Sequence, residues 1–368
     1  MRILHFFKTY HPDTYGGIQS VIHSLAEGCA EYGVKSEVLY LSSRGAARNE
    51  IIQNHIAHRS KLDMYVASTG FSYSVIGDFN DLAAEVDIVH YHFPWPMMDL
   101  AHLFTKHGKP SVISYHSDII KQKNLLWLYE PLMNSFFSKV DRIVASSPNY
   151  VESSRVLRNF EHKVSVIPYG IEDNASQVCS ARVNHWRAIC GEGFFLFVGM
   201  LRYYKGLLYL LEAAKISQLK VVIAGDGADE QAIKSYAHDL GLTNVLFVGR
   251  VSDADKSALF NLCRAFVFPS HLRSESFGIS LLEAAMFSKP MITCEIGTGT
   301  TYVNIDGETG IVVQPENSCE IAAAMSQLSD KETAARYGTA ARKRYELMFR
   351  QRAMCKSYTA LYKKMLRH

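Results

Sequence analysis

Two glutamates in the stretch "SESFGISLLEAA", residues 274–285, have seven residues between them. Glu275 lies in a polar, turn-like run, and Glu283 lies in an apolar helical pattern, where a charge is unfavourable unless it is paired. The helix beginning near Phe277 and Gly278 offers free N–H groups and the positive end of its dipole, which attract a phosphate. Glu283 is then placed to hold ribose hydroxyls, and Glu275 faces the sugar side of a diphosphate. Pairing of Glu283 with a nearby lysine is the alternative.

Two cations lie in a second candidate loop, "VGMLRYYKG", between an apolar strand pattern and a helical one. Arg202 has a planar fork that matches phosphate oxygens, and Lys205 supplies a point charge, so the pair suits a diphosphate. An exposed basic turn is the alternative interpretation. The later loop "IAGDGADE" supplies glycines that permit close approach of the backbone, which is a weak signal when taken alone.

The first half of the chain carries a glycine pair and most of the histidines. Gly16 and Gly17 follow the first strand pattern in "HPDTYGG" and form a loop suited to a phosphate or a sugar. His90 and His92 end the strand pattern "DIVHYHF", and His116 ends "PSVISYH". A histidine at a strand end is commonly a structural hydrogen-bonding group, but three at one sheet edge favour a functional role.

Short apolar runs alternate with helical patterns along the whole chain, which predicts parallel, doubly wound sheets. Residues 171–190 interrupt this alternation and are interpreted as a linker. We therefore predict an α/β protein with an N-terminal domain over residues 1–170 and a C-terminal domain over 171–349. The amphipathic segment 350–368 is expected to pack back on the first domain. Ligands of such sheets bind at the carboxyl ends of the strands, and the loops above are expected to line one cleft between the domains.

Composition narrows the class of protein. The chain has 368 residues and seven cysteines, with no CxxC pair, which favours a reducing cytosol over a disulfide framework or a structural zinc site. No apolar run approaches the ~18 residues that span a bilayer, and no signal peptide is recognised at the start. Residues 331–368 carry eleven Lys and Arg against two Asp and Glu. This basic tail either contacts an anionic surface or forms a solvated helix face. Nucleic acid is not expected, because aromatic residues do not interleave with a basic face.

The motifs together resemble the large family of retaining glycosyltransferases known as family 4, which have the GT-B architecture of two Rossmann-like domains facing across a cleft. The signature is Glu-x7-Glu, here Glu275 to Glu283. Further matches, in the family's order, are "PDTYGG", "SYHSD", "VGMLRYYKG", "IAGDG", "FVGRVSD", "FPS" and "DGETG". One departure is "EIGTGTTYVN", where the family has a Gly-Gly-hydrophobic-Pro-Glu run. This variant resembles bacterial polysaccharide mannosyltransferases.

The resemblance implies a role for each residue of the second domain. Arg202 and Lys205 bind the donor diphosphate. Glu283 binds the ribose, and Glu275 contacts the donor sugar. The distal phosphate is bound by backbone amides at the start of the helix, and the base lies against the loop after "FVGR". These amide and loop residues are Phe277, Gly278, Ile279, Ser280, Arg250 and Val251.

The resemblance also implies the roles of the first domain and of cofactors. Gly16 and Gly17 approach the donor, His116 lies near the sugar and the acceptor, and His90 and His92 lie on the acceptor side. No metal or other cofactor is expected, because the two cations and the helix dipole take its place.

These implications lead to an expected function. We expect a retaining hexosyltransferase that moves mannose from GDP-mannose to a glycan or lipid-linked acceptor, in the biosynthesis of lipopolysaccharide O-antigen or a similar polysaccharide. The alternatives are a nucleotide-sugar 2-epimerase on the same architecture and a non-catalytic glycan-binding module.

The expected location is the cytoplasm, with a peripheral position on the inner membrane as a further expectation. That expectation rests on residues 119–140, where Lys121 and Lys123 stand beside Leu125, Leu126 and Trp127. The alternative for this segment is a core helix broken at Pro131.

Overall fold

A computed structural model describes residues 1–66, 69–119 and 123–367. The chain divides into two compact units, of which the first comprises Met1–Glu172 and Gln351–His368 and the second Asp173–Arg350. Each unit has a parallel sheet flanked by helices, so the predicted α/β class with two doubly wound sheets is confirmed. Within the described residues, no helix combines the length and the apolar character that crossing a bilayer requires.

The sheet of the first unit has eight strands among the described residues, in the order β10-β9-β8-β7-β1-β2-β4-β3. All neighbours are parallel except β3 and β4, which pair antiparallel at the edge, and β5 and β6 form a separate hairpin. Every residue of β7 is buried, as expected for a central strand covered on both faces. The strands are β1 Arg2–Phe6, β2 Lys35–Ser42, β3 Ala47–Ile52, β4 His55–Lys61, β5 Met64–Val66, β6 Thr69–Phe71, β7 Ile88–Phe93, β8 Ser111–Tyr115, β9 Arg142–Ala145 and β10 Val164–Val166.

The helices of the first unit include the last helix of the chain. They are α1 Gly17–Gly28, α2 Val75–Glu85, α3 Pro96–Thr105, α4 Lys123–Lys139, α5 Pro148–Ser153, α6 Arg155–Asn159 and, numbered after the helices of the second unit, α15 Gln351–Met365. Helix α15 packs on α1, where Cys355 Sγ lies 3.6 Å from the carbonyl oxygen of Ser24, and it reaches the sheet through the buried side chains of Tyr358 and Tyr362. It therefore completes the core of a unit whose other residues end at Glu172.

Helix α4 passes through Pro131, so the interpretation that a helix breaks there is wrong. A proline inside a helix removes one hydrogen bond to the carbonyl four residues earlier, here that of Trp127. Trp127 itself is exposed. Lys121 lies outside the described residues, as do the side chains of Lys123, Leu125 and Leu126.

The second unit, which is described throughout, has a six-stranded parallel sheet in the order β13-β12-β11-β14-β15-β16. Its strands are β11 Phe195–Val198, β12 Val221–Ala224, β13 Val245–Gly249, β14 Ala265–Phe268, β15 Met291–Cys294 and β16 Gly310–Val313. Its helices are α7 Ser180–Cys190, α8 Leu207–Ser217, α9 Glu230–Asp239, α10 Asp253–Leu262, α11 Ile279–Met286, α12 Thr300–Val303, α13 Ser318–Leu328 and α14 Lys331–Met348.

Each sheet has one position where the strand order reverses. In the first sheet, β1 continues to β2 on one side and has β7 on the other, and in the second sheet β11 has β12 and β14 as its neighbours. The loops after two such strands leave in opposite directions and open a crevice at the carboxyl edge, which is where ligands of doubly wound folds bind. The loops after β1, β7, β11 and β14 are therefore the candidate ligand-binding loops.

The segment interpreted as a linker, residues 171–190, differs from its prediction. Its second half forms helix α7, which buries Val183, Trp186 and Cys190. Their spacing of three and four residues is that of one helix face, but the positions between them are polar and conceal the pattern.

Candidate active site

An ion pair joins the loops at the reversal point of the second sheet. The Nζ of Lys205, in the loop after β11, donates to Oε2 of Glu275, in the loop after β14. Lys205 is buried, and its Nζ lies 4.5 Å from the centroid of the Phe268 ring, in a cation–π contact. Ser270 Oγ donates to the same carboxylate oxygen at 3.4 Å. The structure thus brings together two predicted site residues as an ion pair.

The two loops approach each other because Gly206 has no side chain. Its φ is +68°, and a Cβ added there would lie 1.9 Å from the carbonyl oxygen of Pro269. The backbone N–H of His271 donates to the carbonyl of Tyr204 at 3.0 Å, which fixes the loops side by side. Any other residue at position 206 would push the two loops apart and would also separate the charges of Lys205 and Glu275.

Helix α11 begins where the predicted anion site requires. Phe277 is buried, and Gly278 is the residue before the helix, with a φ of +86°. A Cβ on Gly278 would lie 2.9 Å from Cε1 of Phe268, so the backbone is held against the same ring as Lys205. Ile279 and Ser280 are the first residues of the helix, and their amides have no partner within it. The start of α11 and the loop of Glu275 therefore form one continuous surface.

The departure from the family pattern, "EIGTGTTYVN", lies against this surface. The N–H of Gly299 donates to the carbonyl of Ser276 at 2.8 Å, and Nη1 of Arg273 donates to the carbonyl of Gly297 at 2.9 Å. Two hydrogen bonds thus brace the loop of Glu275 on both sides of that residue. The segment "EIGTGTTYVN" therefore supports the loop of Glu275, the predicted sugar-contacting residue, through the backbone of Gly297 and Gly299.

The second glutamate also has a lysine partner. Glu283 Oε1 lies 2.5 Å from Nζ of Lys256, on the neighbouring helix α10, and Asp253 contacts the same Nζ at 2.9 Å. Burial lowers the pKa of Lys256, but the charges of Glu283 and Asp253 outweigh burial and hold it above its usual value. The structure thus shows the alternative given for Glu283, a pair with a lysine, and the binding of ribose by Glu283 stays a prediction. Sequence reasoning missed Lys256, because it precedes Glu283 by 27 residues and only the fold brings the two side chains together.

The remaining donor-side residues lie at the same edge of the sheet. Arg250 is exposed and Val251 half-buried, directly after β13. Arg202 is exposed, and among the described residues its guanidinium has no ion-pair partner. It lines a pocket of about 310 Å³ together with Tyr203 and His271. The two predicted phosphate-binding cations thus differ, because Lys205 is already paired and Arg202 is available.

This difference predicts separate effects for the two cations. Arg202→Ala should weaken binding of a nucleoside diphosphate roughly ten- to a hundredfold, the worth of one charge-assisted contact of about 1.5–3 kcal/mol. The free energy of unfolding should be unchanged, since no internal partner is lost. Titration calorimetry with GDP, beside urea unfolding, checks both. Affinity for GDP equal to that of the unmodified protein would remove Arg202 from the phosphate site.

Glu283 gives a second prediction, on nucleotide binding. If it holds ribose, Glu283→Ala should weaken GDP binding about tenfold or more, because a charged hydrogen bond is lost. The matched control is Asp253→Ala, which removes the other partner of Lys256 and leaves Glu283 in place. Equal losses in the two variants, measured by calorimetry, would mean that Glu283 acts only through Lys256.

In the first unit, the predicted glycines lie at the start of α1. Gly16 immediately precedes the helix, with an extended backbone, and Gly17 is its first residue. The carbonyl of Gly16 accepts from the N–H of Ser20 at 2.9 Å, and Gln19 Nε2 bonds to Oγ1 of Thr9 at 2.8 Å. The glycine pair therefore presents the first amides of a long helix, as a loop that binds an anion does.

The predicted histidines lie in a buried row across the reversal point of the first sheet. His116 Nε2 lies 2.9 Å from Nδ1 of His92, whose Nε2 lies 3.1 Å from Nδ1 of His5, on β1. His116 Nδ1 bonds to the hydroxyl of Tyr169 at 2.6 Å. Both ring nitrogens of His116 are thus engaged, and contact with a sugar or an acceptor requires that one bond be exchanged. Burial lowers the pKa of His116 to about 3, so the ring is neutral.

His90 belongs to the same row and is tied to the last helix of the chain. Its Nε2 bonds to Ser114 Oγ at 2.7 Å, and its Nδ1 bonds to the Tyr362 hydroxyl at 2.7 Å. Ser114 Oγ also bonds to the hydroxyl of Tyr358 at 2.8 Å. Burial, with the neighbouring histidines His5 and His116, holds the pKa of His90 well below its usual value. This row could have been anticipated, because residues two apart in a strand share a face.

Comparisons with known proteins bear on both units. Residues 187–344 match the family described as "Glycosyl transferases group 1", and residues 15–175 match "Glycosyltransferase Family 4". The chain is 47% identical over 367 residues to O-antigen chain mannosyltransferase C of Escherichia coli, covering 100% of this chain and 99% of the relative. It is 52% identical over 351 residues to D-rhamnosyltransferase WbpZ of Pseudomonas aeruginosa, covering 95% and 92%.

Solved structures show the same fold at low identity. Sucrose-phosphate synthase from Thermosynechococcus elongatus superposes with a TM-score of 0.83 at 18% identity, covering 99% of this chain and 98% of that one. Anabaena HepE in complex with UDP-glucose superposes with a TM-score of 0.78 at 18% identity, covering 99% and 100%. Both covered shares are close to complete, so the likeness extends over both units.

Proposed function

We infer a donor, an acceptor and a stereochemical course from one premise: this chain belongs to the glycosyltransferases of group 1 and family 4. The observation that carries the proposal is the identity of about half over the whole length to a transferase of mannose in O-antigen chains. We propose that this chain transfers mannose from GDP-mannose to a glycan or lipid-linked acceptor in the assembly of O-antigen or a similar polysaccharide.

The two curated relatives favour a donor of the manno configuration. One is named for mannose and the other for D-rhamnose, which is 6-deoxymannose. The two sugars share every ring hydroxyl and differ only at carbon 6. A pocket that recognises the ring hydroxyls therefore accepts both, and the contact at carbon 6 decides between them. Mannose is proposed because the mannosyltransferase match extends over all of this chain, and the deoxy sugar is the second candidate.

The proposed reaction retains the configuration of the donor. Arg202, Lys205 and the first amides of α11 neutralise the leaving diphosphate, and a metal ion is not needed for that charge. The acceptor hydroxyl attacks from the face that the diphosphate leaves, and a phosphate oxygen takes its proton. Glu275 lies beside the sugar and stabilises the positive charge that develops at the anomeric carbon. The protein contributes orientation and charge stabilisation.

A donor panel tests the proposal. GDP-mannose, GDP-D-rhamnose, GDP-glucose and UDP-glucose are each offered with a lipid-linked glycan acceptor, and NMR gives the anomeric configuration of the product. We expect transfer from GDP-mannose with the α configuration kept. Exchange of the C2 proton without an acceptor would favour a nucleotide-sugar 2-epimerase. Absence of both transfer and donor hydrolysis would favour a glycan-binding module.

A lipid-linked acceptor suggests contact with the membrane, and three exposed apolar side chains of the first unit support this part of the proposal. Phe104 on α3 is 70% exposed, and Trp127 and Leu128 on α4 are 75% and 66% exposed. Helices α3 and α4 pack on each other. Aromatic side chains of this kind prefer the interface between water and lipid. We propose a peripheral position on the cytoplasmic face of the inner membrane.

Vesicle co-sedimentation checks this position. The unmodified protein should bind vesicles of phosphatidylglycerol and phosphatidylcholine, and Trp127→Ser with Leu128→Ser should reduce the bound fraction several-fold. The matched control is Ile216→Ser, which changes an exposed apolar residue on α8 of the second unit. Binding that is absent at low salt, or equal in both variants, would assign these side chains no role at a membrane.

A further inference from the structure

A cluster of histidines and one glutamate lies in the first unit, apart from the row that contains His116. His23 and Glu27 stand one turn apart on the same face of α1, and His55 is the first residue of β4. One nitrogen or oxygen atom from each of the three lies within 4.8 Å of those from the other two. His11, in the loop between β1 and α1, has its ring centroid 5.4 Å from that of His23. The family resemblance gives none of these four residues a role.

The hydrogen bonds of the cluster fix where its protons lie. Glu27 contacts Nδ1 of His55, which must be the donor when the carboxylate is ionised. His55 Nε2 then carries a lone pair and accepts from the hydroxyl of Tyr10 at 3.0 Å. The Tyr10 oxygen in turn accepts from Nδ1 of His23 at 3.3 Å. Because a neutral imidazole has one N–H, Nε2 of His23 is left with a lone pair.

A second nitrogen that lacks a partner in the described part of the chain belongs to His11, whose ring is the neighbour of the His23 ring. Nδ1 of His11 is buried and has no hydrogen-bond partner among the described residues. Buried polar atoms nearly always have a partner, so an orphaned one requires an explanation. His11 and His23 thus both present nitrogen atoms without protein partners, next to a histidine–carboxylate pair. Lone pairs gathered in this way are the arrangement that a metal ion needs.

We propose that His23, Glu27 and His55, with His11 as a fourth ligand, form a site for a divalent transition metal ion of the zinc type. Three imidazoles and one carboxylate are a common donor set for such an ion. Metal–nitrogen bonds of about 2.0–2.1 Å bring tetrahedral ligand atoms to separations of about 3.3 Å. The atoms of His23, Glu27 and His55 already lie within 4.8 Å of one another, and the ring of His11 must turn toward them to complete the site. The ion takes the place of the proton shared by His55 and Glu27, and that proton passes to solvent.

The other histidine cluster of this unit is less suited to a metal. His5, His90 and His92 also lie close together, but both nitrogens of His90 and of His92 already have partners. A metal there would have to break a completed buried network. The site at His23 instead draws on His11 and His23 nitrogens that have no partner among the described residues, and it replaces the His55–Glu27 contact while Asn54 can go on donating to Glu27. It joins the loop preceding Gly16 to α1 and β4. It adds a site to the proposed transferase and takes no part in holding the donor phosphate.

Metal binding can be measured without any assay of activity. The chain, freed of metal with a chelator, is titrated with Co²⁺ and with Zn²⁺ and followed by visible absorption and calorimetry. We expect one ion for each chain, with the intense absorption of four-coordinate Co²⁺ and the release of a proton. His23→Gln and Glu27→Gln should weaken binding at least a hundredfold, and His11→Ala at least tenfold. His238→Gln, at a side chain that is 91% exposed in the second unit, should bind as the unmodified protein does.

Folding of the variants is followed separately, so that a loss of binding can be interpreted. Circular dichroism of the metal-free variants should match that of the unmodified protein, and His11→Ala serves where a helix variant fails to fold, because His11 lies in a loop. Binding by the unmodified protein that is no tighter than millimolar would overturn the proposal. So would stoichiometric binding that survives both His23→Gln and His11→Ala.

Discussion

Replacing Glu275 by alanine is expected to lower turnover by roughly 10²–10³-fold, which is the scale of losing one preorganised electrostatic group. Affinity for GDP is expected to stay the same or to rise. The reason lies in the pair with Lys205, because removal of the carboxylate frees that ammonium for the diphosphate. Glu275 would therefore act on the sugar in the transition state, and its loss would leave nucleotide binding intact.

Turnover with GDP-mannose and calorimetry with GDP measure the two effects on the same samples. Glu275→Gln retains the shape and removes the charge, so a loss close to that of the alanine variant would assign the effect to charge. Glu308→Ala, at an exposed turn of the same unit, is the control and should behave as the unmodified protein does. Lost GDP binding with normal turnover at saturation would reverse the proposed roles of Glu275 and Glu283.

Lys205→Ala is expected to affect stability as well as binding. The side chains of Lys205 and Glu275 are only 11% and 12% exposed, so the alanine variant leaves a carboxylate largely buried without its counter-ion. Breaking such a pair from one side lowers the free energy of unfolding by about 3 kcal/mol. Ser270, at 3.4 Å, is the hydrogen-bond donor left to that carboxylate oxygen, and a neutral hydroxyl compensates for little of the lost charge.

A double-mutant cycle measures the interaction energy between Lys205 and Glu275 separately from their contacts with other residues. Lys205→Ala with Glu275→Ala should recover part of the stability that Lys205→Ala alone loses, because no unpaired charge remains. Urea unfolding of the four proteins gives the coupling energy, and Arg202→Ala is the comparison at an exposed cation in the same loop. Additive losses in the cycle would mean that Lys205 and Glu275 do not stabilise each other.

The central strands could be predicted from the sequence because they are short apolar runs between helical patterns. "FFLFVGM", "KVVIAGDG" and "AFVFPS" contain β11, β12 and β14. Strand β3, "ARNEII", could not be predicted because it is the polar and largely exposed edge strand, and β4, "HIAHRSK", could not because most of its residues are polar although most are buried. Hydrophobic periodicity detects only strands that bury apolar side chains, so an exposed strand and a strand that buries histidine and serine both give little signal.

The candidate site, too, could be predicted only in part from the sequence. The identities of Arg202, Lys205 and Glu275 could be chosen from residue type and from position after a strand. Their partners could not be chosen, because the pairing of Lys205 with Glu275 depends on two loops that are seventy residues apart in sequence. The order of strands in the sheet decides which loops become neighbours, and an alternation of strands and helices leaves that order open.

The position of α15 has a consequence for the order in which the protein is made. The first unit lacks its closing helix until residues 351–368 leave the ribosome, whereas every residue of the second unit, Asp173–Arg350, has by then been synthesised. Domains of most chains fold in sequence, beginning at the N-terminus. Here His90 and Ser114 of the nascent first unit stay without their partners Tyr362 and Tyr358 until the whole second unit has been synthesised. A ribosome that stops before residue 351 would release a finished second unit joined to an unfinished first one.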